Sequence, residues 1–465
     1  MVEPFFIIMS VLIVLSLISP FLSGKKLLNY SASAVYTLLL IYLAYVRYKG
    51  IGLGRLQWLM SGLPSYVVLG KSIIELSYVV LGVSLIAGAL TSLSLNKIGK
   101  NSGIAVSLIS AGILANFVLS STLNPFYIIA AWGLLSVSSY GIAAIPKDKV
   151  SLGNSLKYAF MGGLSFQLLL LSFILYYLFA GSVLGLPIVI GAALLVTAIG
   201  FKIGVVPFHM WLPDVYGTSD PIAVSVLSSL MKLGPIALLV NLFSVGLVFL
   251  TGSQKEALLT FLMLLAVLTM TWGNVAAAVQ RDVQKMLAYS SISHIGFMLM
   301  AISVIIASYI YGVSATLAYI ALIIYLFSYS ISKASAFSYM KGFDNRSYES
   351  IKGAGRTYAG VSGMFSVSLL NLLGLPPLLG FWAKLFVFMS AANPNISLFY
   401  AGYIPWYALV GIINSVISAF YYVRVLQSLY TESKPNAVFE GLRLTIIVSS
   451  AILIIGGIIL PTLFI

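Results

Sequence analysis

The chain has 465 residues, of which 60% are apolar and 8% are charged, with a formal net charge of +14 and no cysteine. Soluble domains carry about 25% charged residues, so this composition excludes a soluble protein and indicates a membrane protein. The lack of cysteine excludes disulfides and thiolate-bound iron–sulfur clusters within the chain. The positive charge does not indicate nucleic-acid binding, because Lys and Arg fall mostly in short connections between apolar segments and act as topology signals.

Apolar stretches of about 20 residues, long enough to cross a bilayer, recur over the whole chain. They lack the period-two alternation of a membrane barrel. The sequence therefore predicts one all-α integral membrane domain over residues 1–465, with about fourteen transmembrane helices. We number these helices from 1 to 14; their centres fall near residues 14, 38, 84, 112, 134, 168, 198, 235, 266, 296, 322, 370, 413 and 453.

Positive charges distinguish the odd-numbered connections from the even-numbered ones. Lys and Arg follow helices 1, 3, 5, 9 and 11, whereas the connections after helices 4, 6, 10 and 12 contain neither. The positive-inside rule then predicts that both termini lie outside a cell (inner or plasma) membrane. The connection after helix 2 departs from this pattern, with Arg47, Lys49, Arg55 and Lys71, and we expect it to form an ordered external loop.

Two helices are expected to be broken within the membrane. Helix 7 meets Gly204 and Pro207, and helix 12 contains Gly374, Pro376 and Pro377 in "LLGLPPLLGFWAK". Proline removes a backbone donor. The carbonyls that such breaks free are tolerated in a membrane where they are buried in protein or line a wet cavity.

The spacing of two lysines beside these breaks suggests an internal repeat. Lys202 and Lys384 lie 182 residues apart (384 − 202), which corresponds to about five helices with their loops. Five is odd, so a tandem five-helix unit must be inverted in the membrane. We predict a first repeat over 103–250, helices 4–8, and a second over 255–430, helices 9–13. Broken helices at matching positions of inverted repeats form midplane ion or substrate sites in transporters.

Ionisable groups within or near the predicted spans are the candidate functional residues. They are Lys202, Lys232, Lys333 and Lys384, with His294 on helix 10. A lysine at mid-membrane costs about 3 kcal/mol, so each one needs a partner or a role. Removal from water favours the neutral amine over the ammonium. A row of such lysines, bridged by water and His294, could therefore pass a proton along the membrane midplane.

Structural roles for these groups remain open at this point. Lys202, Lys232 and Lys384 could cap carbonyls freed at breaks or kinks. Lys333, nearer a helix end, could extend to the interface, and His294 could be a hydrogen-bonded packing residue. Trp211, after the first break, is expected to be an interfacial anchor. No phosphate-binding glycine loop, metal-ligand cluster or nucleophile triad is present in the sequence.

Four sequence blocks in order carry a family resemblance. They are "GFKIGVVPFHMWLPDVY", "SSLMKLG", "AAAVQRDVQKMLAYSSISHIGF" and "GLPPLLGFWAKLFVF". From about residue 70 to 430 the chain resembles the antiporter-like membrane subunits of respiratory complex I and of their Mrp antiporter and membrane-bound hydrogenase relatives. Among complex I subunits it is most similar to the N type. It has Lys384 where the M type typically carries glutamate, and no lateral arm like that of the L type is expected after helix 14.

The resemblance implies redox-coupled proton translocation in an NADH:quinone-type complex. In this family a glutamate on helix 5 pairs with a lysine on helix 7, a lysine on helix 8 forms a link, and a lysine or glutamate on helix 12 leads to the exit. These roles would fall to Lys202, Lys232 and Lys384. The implied partners are other membrane-arm subunits and the lipid bilayer. Quinone, iron–sulfur clusters and flavin or other electron-input cofactors would belong to partner subunits, and none to this chain.

One family residue is missing, because Gly133 aligns with the helix 5 glutamate and no acid lies between Glu75 and Asp148. Three explanations remain open. Glu75 or a neighbouring subunit supplies the carboxylate, the subunit conducts by a variant route through its second half, or it is a non-pumping spacer; we favour the second or third. The alternative function is a subunit of a multisubunit cation/proton antiporter or membrane-bound hydrogenase. A further hypothesis is a self-sufficient transporter such as a lipid-linked sugar flippase. It is disfavoured, because that class lacks the lysines and the "PFHMWLPD" motif.

Overall fold

The computed structural model describes residues 4–24, 26–49, 67–179, 185–247, 250–392 and 405–462. Within these ranges the chain is helical and has one isolated antiparallel bridge, between Asp282 and Ser347. The loop expected over 50–66 lies outside the described residues. The α-helices are α1 (Pro4–Ile18), α2 (Lys26–Tyr48), α3 (Val67–Ser94), α4 (Ser102–Ser121), α5 (Pro125–Ala144), α6 (Lys149–Phe179), α7 (Gly185–Ile203), α8 (Trp211–Thr218), α9 (Pro221–Ser229), α10 (Leu233–Gly246), α11 (Gly252–Ala278), α12 (Val283–Tyr311), α13 (Thr316–Met340), α14 (Tyr348–Ile351), α15 (Ala354–Thr357), α16 (Ala359–Leu373), α17 (Leu379–Ala391), α18 (Trp406–Tyr430) and α19 (Arg443–Thr462).

The predicted multi-span helical fold is confirmed. Eleven stretches of the described chain are long and apolar enough to cross a membrane, and one of them, Glu75–Ser121, spans 47 residues and contains parts of both α3 and α4. Shorter apolar helices supply α1 and the pair α16–α17. Counted as crossings, these give the fourteen expected helices. Helix 7 consists of α7 and α8, helix 8 of α9 and α10, and helix 12 of α16 and α17, while helices 9, 10, 11, 13 and 14 are α11, α12, α13, α18 and α19.

Connections that follow odd-numbered helices contact one another. Val283 N donates to Arg346 O at 2.8 Å, Val438 N donates to Gly342 O at 2.9 Å, and Lys341 forms an ion pair with Asp220, which joins the connections after helices 7, 9, 11 and 13. Asn101 Nδ2 donates to Ile145 O at 3.0 Å, which joins the connections after helices 3 and 5. The orientation of the termini stays a prediction.

Helices 7 and 12 are broken at the glycines and prolines that the sequence indicates. α7 ends before Gly204 and α16 ends before Gly374, and these glycines have φ of 92° and 89°, a left-handed conformation that glycine adopts without steric cost. Gly204 and Gly374 are 170 residues apart (374 − 204), as are Pro207 and Pro377 (377 − 207). The two breaks thus match at a constant offset along the chain, as the predicted repeat requires. The repeat boundaries, 103–250 and 255–430, stay predictions.

The two lysines used to propose the repeat do not occupy matching positions. Lys202 lies on α7, before its break, whereas Lys384 lies on α17, after its break. Helices 7 and 12 are five crossings apart and therefore run in opposite directions. As a result, the arms that carry Lys202 and Lys384 lie on the same side of the membrane.

Helix 8 is also broken, just before the Gly-Pro pair that the sequence marks. α9 ends at Ser229 and α10 begins at Leu233. Asn116 of α4 spans this break: its Nδ2 donates to Leu230 O at 2.9 Å, and its Oδ1 accepts from Gly234 N at 3.0 Å. Asn371 similarly spans the break of helix 12, where its Oδ1 accepts from the backbone N of α17 at 2.8 Å. Buried asparagines thus close two of the three breaks.

We expect Asn116→Leu to lower the thermal unfolding midpoint of the detergent-solubilised protein. The change leaves the buried Leu230 carbonyl and Gly234 amide without this partner, and each such loss costs about 1–3 kcal/mol. Gln427→Leu is the matched control, because Gln427 is exposed on α18. Equal midpoints for the two variants would contradict the bridging role of Asn116.

Candidate functional site

Four lysines lie in the interior of the helical bundle, as the sequence predicts. The exposed fractions of Lys202, Lys232, Lys333 and Lys384 are 2%, 3%, 0% and 4%. The ion pairs found between described residues, at N···O distances up to 4.0 Å, do not involve any of the four. Within the described chain, the groups that contact these lysines are therefore neutral.

Lys202 is held by hydroxyls and aromatic rings. Its Nζ donates to Ser136 Oγ at 3.0 Å and to Ser139 Oγ at 3.2 Å, both on α5. The ring centroids of Tyr140 and Tyr158 lie 5.1 and 5.3 Å from Nζ, within the range of a cation–π interaction. Helix 5 therefore contacts Lys202 through two serines. The resemblance leads one to expect a carboxylate from this same helix.

Trp211 caps the break of helix 7, and its predicted role as an interfacial anchor is wrong. It is 1% exposed, and its Nε1 donates to Phe201 O at 2.8 Å. Its ring stacks on Tyr158 at a centroid distance of 4.2 Å. Trp211 thus satisfies a carbonyl freed at the break, the role that Lys202 was considered for, and supports one of the rings beside Lys202.

Neither Gly133 nor Glu75 brings a carboxylate to Lys202. Gly133 lies three residues before Ser136 on the same face of α5, and a Cβ built there would meet no atom within 4 Å. Glu75 Oε1 is 2.6 Å from Arg47 Nη2, and both side chains are exposed. Glu75 thus has another partner in the structure. The side chain of Lys71, four residues before Glu75 on the same helix, lies outside the described residues.

Lys232 lies within the break of helix 8, between the two halves. Its Nζ is buried and has no hydrogen-bond partner among the described residues. The ring centroid of Tyr216 is 5.0 Å away. An ammonium can donate three hydrogen bonds, so this lysine can bind water without losing a protein contact.

Lys333 points into the bundle, and the alternative that it extends to the interface does not hold. It is fully buried, and its Nζ donates to Leu287 O at 2.8 Å and to Ser290 Oγ at 2.5 Å, both on α12. The rings of Tyr329 and Phe337 lie 5.8 and 5.7 Å from Nζ. Helix 11 continues for two turns beyond this lysine, so Lys333 lies farther from the helix end than the sequence suggests.

His294 is a fully hydrogen-bonded residue that also borders a polar cavity. Its Nδ1 is 2.7 Å from Tyr325 OH and its Nε2 is 3.0 Å from Tyr422 OH. It shares the cavity with Lys384 and Asn371, and the space left for the centre of a water molecule is about 10 Å³. That is close to the room that one buried water needs. The packing role and the relay role expected for His294 are therefore compatible.

Lys384 both caps a break and faces this cavity. Its Nζ donates to Leu373 O, the last carbonyl of α16, at 2.8 Å, and to Ser415 Oγ of α18 at 3.1 Å. The ring of Phe297 lies 5.1 Å away. The capping role considered from the sequence is thus present, alongside access to the His294 cavity.

A family profile described as "NADH:quinone oxidoreductase/Mrp antiporter, TM" matches residues 120–417. The chain belongs to this family. NADH-quinone oxidoreductase subunit N of Dehalococcoides mccartyi is 32% identical over 402 residues, covering 79% of each chain. The resemblance stated from the four sequence blocks is confirmed.

Solved structures of two complexes contain chains with the same fold. A chain of respiratory complex I from Thermus thermophilus superposes with a TM-score of 0.75 and 25% identity, covering 97% of this protein and 96% of that chain. A chain of the Mrp complex from Dietzia sp. DQ12-45-1b superposes with a TM-score of 0.81 at 16% identity, covering 100% and 96%. At that identity the second match shows the fold alone.

Within this family framework, Gly133→Glu tests the site at Lys202. The open space at Gly133 should accommodate the side chain, and its carboxylate would lie on the α5 face that contacts Lys202. We expect a coupling of about 0.5–3 kcal/mol between Gly133→Glu and Lys202→Met. A double-mutant cycle of thermal unfolding in detergent measures it.

Gly163→Glu provides the control for this cycle. Gly163 on α6 is exposed and also has no atom within 4 Å of a built Cβ. It should show no coupling to Lys202→Met. A coupling free energy of zero between Gly133→Glu and Lys202→Met would refute the inferred placement of the new carboxylate beside Lys202.

Proposed function

We propose that this protein is an N-type membrane-arm subunit of a complex I-like NADH:quinone oxidoreductase and contributes to redox-coupled proton translocation. The observation that carries the proposal is the row of four buried lysines in a member of this family. The relatives named as NADH-quinone oxidoreductase subunit N and the match to complex I support the assignment. The partners are then other membrane-arm subunits of the same complex, and the protein lies in the cell membrane.

The first part of the row links Lys232 to Lys333 through aromatic side chains. Tyr216, which faces Lys232, has its ring centroid 6.2 Å from that of Phe337. Phe337 in turn faces Lys333. The packed rings of Tyr216 and Phe337 therefore separate the amines of Lys232 and Lys333.

The second part of the row links Lys333 to Lys384 through His294. Tyr329, which faces Lys333, has its ring 5.6 Å from the imidazole of His294. The cavity then joins His294 to Lys384. The ionisable groups thus form a continuous series from the break of helix 8 to the break of helix 12.

The chemistry of these groups suits proton transfer. A neutral amine has one lone pair that accepts a proton, and an ammonium has three protons that it can donate. Neutral imidazole presents one donor and one acceptor nitrogen, so His294 can accept a proton on one side and release one on the other. Water between the amines would carry the proton between them.

We infer that the second half provides the main conducting route. Lys384 faces a polar cavity with His294, whereas Lys202 is enclosed by Ser136, Ser139 and two tyrosine rings, without a carboxylate among the described residues. This agrees with the missing helix 5 acid. Iron–sulfur clusters are assigned to partner subunits, because the chain has no cysteine to hold one. Quinone and flavin or another electron-input group are assigned to partner subunits on the family resemblance. The Lys and Arg pattern supports both termini outside.

Lys384→Ala should reduce the number of protons translocated per electron several-fold more than Lys202→Ala. The measurement uses the intact complex in proteoliposomes, with a fluorescent pH-gradient dye and quinone reduction followed together. Lys285→Ala serves as a control, because Lys285 is exposed at the start of α12. An equally severe loss in the Lys202 and Lys384 variants would argue against a route confined to the second half.

Gentle extraction from the native membrane, followed by mass spectrometry, tests the assignment to a complex. Iron–sulfur and quinone-site subunits should co-purify with the protein. If other membrane subunits co-purify and no redox centre does, the protein is instead a subunit of a cation/proton antiporter, the alternative that the shared family and the Mrp-like fold leave open.

A further inference from the structure

Each buried lysine faces at least one aromatic ring. The same lysines have no carboxylate within ion-pair distance among the described residues. The nearest ring centroids to Nζ are those of Tyr140 for Lys202 (5.1 Å), Tyr216 for Lys232 (5.0 Å), Phe337 for Lys333 (5.7 Å) and Phe297 for Lys384 (5.1 Å).

An aromatic ring has a negative face that attracts an ammonium within about 6 Å, and more strongly where water is excluded. All four lysines are at most 4% exposed. Among the described residues, the acids that form ion pairs are bonded to other bases, as Glu75 is to Arg47 and Asp220 to Lys341. Lys202, Lys333 and Lys384 also donate to hydroxyl or carbonyl oxygens, whereas Lys232 Nζ has no hydrogen-bond partner among the described residues. A ring face is therefore the one negatively polarised group that all four buried amines share.

We propose that aromatic faces replace carboxylates as the groups that stabilise the ammonium forms of these lysines, and that Phe297 is the positioning residue for Lys384. The proposal deepens the proposed function and rests on it. A ring differs from a carboxylate in that it cannot take up the proton of the ammonium. The proton must therefore leave to water or, from Lys384, to the His294 imidazole across the shared cavity, and the amine can discharge without the separation of an ion pair.

Phe297 is the most informative ring because it has no hydroxyl. It is fully buried, and its effect on Lys384 is therefore that of the ring face alone. The other contacts of the Lys384 amine are the Leu373 carbonyl and Ser415 Oγ. The titratable groups facing it are His294 from α12 and Tyr325 and Tyr329 from α13, which line the shared cavity.

The test is the pH dependence of proton translocation by the intact complex in proteoliposomes. It compares Phe297→Leu with incorporation of 3,4,5-trifluorophenylalanine at position 297, which keeps the ring but removes its negative face. Without that face the ammonium form is less favoured, so we expect the alkaline end of the profile to move to lower pH by about one unit in both variants. Phe388→Leu is the packing control. The ring centroids of Phe388 and Phe297 are 6.0 Å apart, and no lysine of the described residues forms a cation–π contact with Phe388, so the profile of this variant should not shift.

The outcomes separate this inference from the proposed function. An unshifted profile for trifluorophenylalanine, whatever Phe297→Leu does, would overturn the aromatic role, provided that Lys384→Ala lowers translocation. If Lys384→Ala leaves translocation intact, the proposed route fails and the assignment of Phe297 fails with it. If the Phe297→Leu variant does not assemble into the complex, the variant with trifluorophenylalanine at position 297 still tests the aromatic role.

Discussion

The constraint on which this structure depends is that backbone groups inside a membrane must find partners within the protein. An unsatisfied carbonyl or amide in hydrocarbon costs several kcal/mol, and three helices of this chain are broken within the bundle. Polar side chains close these breaks: Trp211 Nε1 for Phe201 O, Asn116 for Leu230 O, and Lys384 Nζ for Leu373 O. The breaks therefore concentrate polar groups at mid-membrane, and the candidate site is built from them.

The second consequence concerns the balance between charged and neutral lysine. A charged lysine at the centre of a membrane helix costs about 3 kcal/mol. A desolvated cation–π contact returns about 2 kcal/mol, and a hydrogen bond from a charged group about 1.5–3 kcal/mol. These interactions all favour the ammonium form and oppose its desolvation cost, so Lys384 can hold a charge inside the membrane without a carboxylate. A carboxylate partner would favour the ammonium further and make release of the proton harder.

The sequence predicted the parts of the molecule that depend on local composition. Apolar length located the spans, and Gly204 and Gly374 located two of the breaks, because chain geometry there is set by the residues themselves. The sequence left open whether Lys333 is buried or reaches the interface, and it marked a kink at Gly234 and Pro235 without showing that Asn116 closes the break, because both outcomes depend on contacts from other helices. For the same reason the partners of the lysines, such as Ser136 and Phe297, could not be named from the sequence. Ser136, for example, is 66 residues from Lys202 along the chain, so no local sequence pattern connects the two.

The two broken helices share a pattern of glycine and proline but differ in the ionisable groups beside them. With the offset of 170 residues between the breaks, the position matching Lys202 is Leu372 (202 + 170), and the position matching Lys384 is Asp214 (384 − 170), which forms a partly exposed ion pair with Lys157. If the ionisable groups followed the predicted inverted repeat, equivalent groups would lie on both sides of the membrane. In this chain Lys202 and Lys384 lie on arms on the same side, and the His294 cavity belongs to the second half alone. The glycine and proline positions therefore follow the predicted repeat, while the ionisable groups depart from it, and under the proposed function a direction for proton movement can arise from that departure.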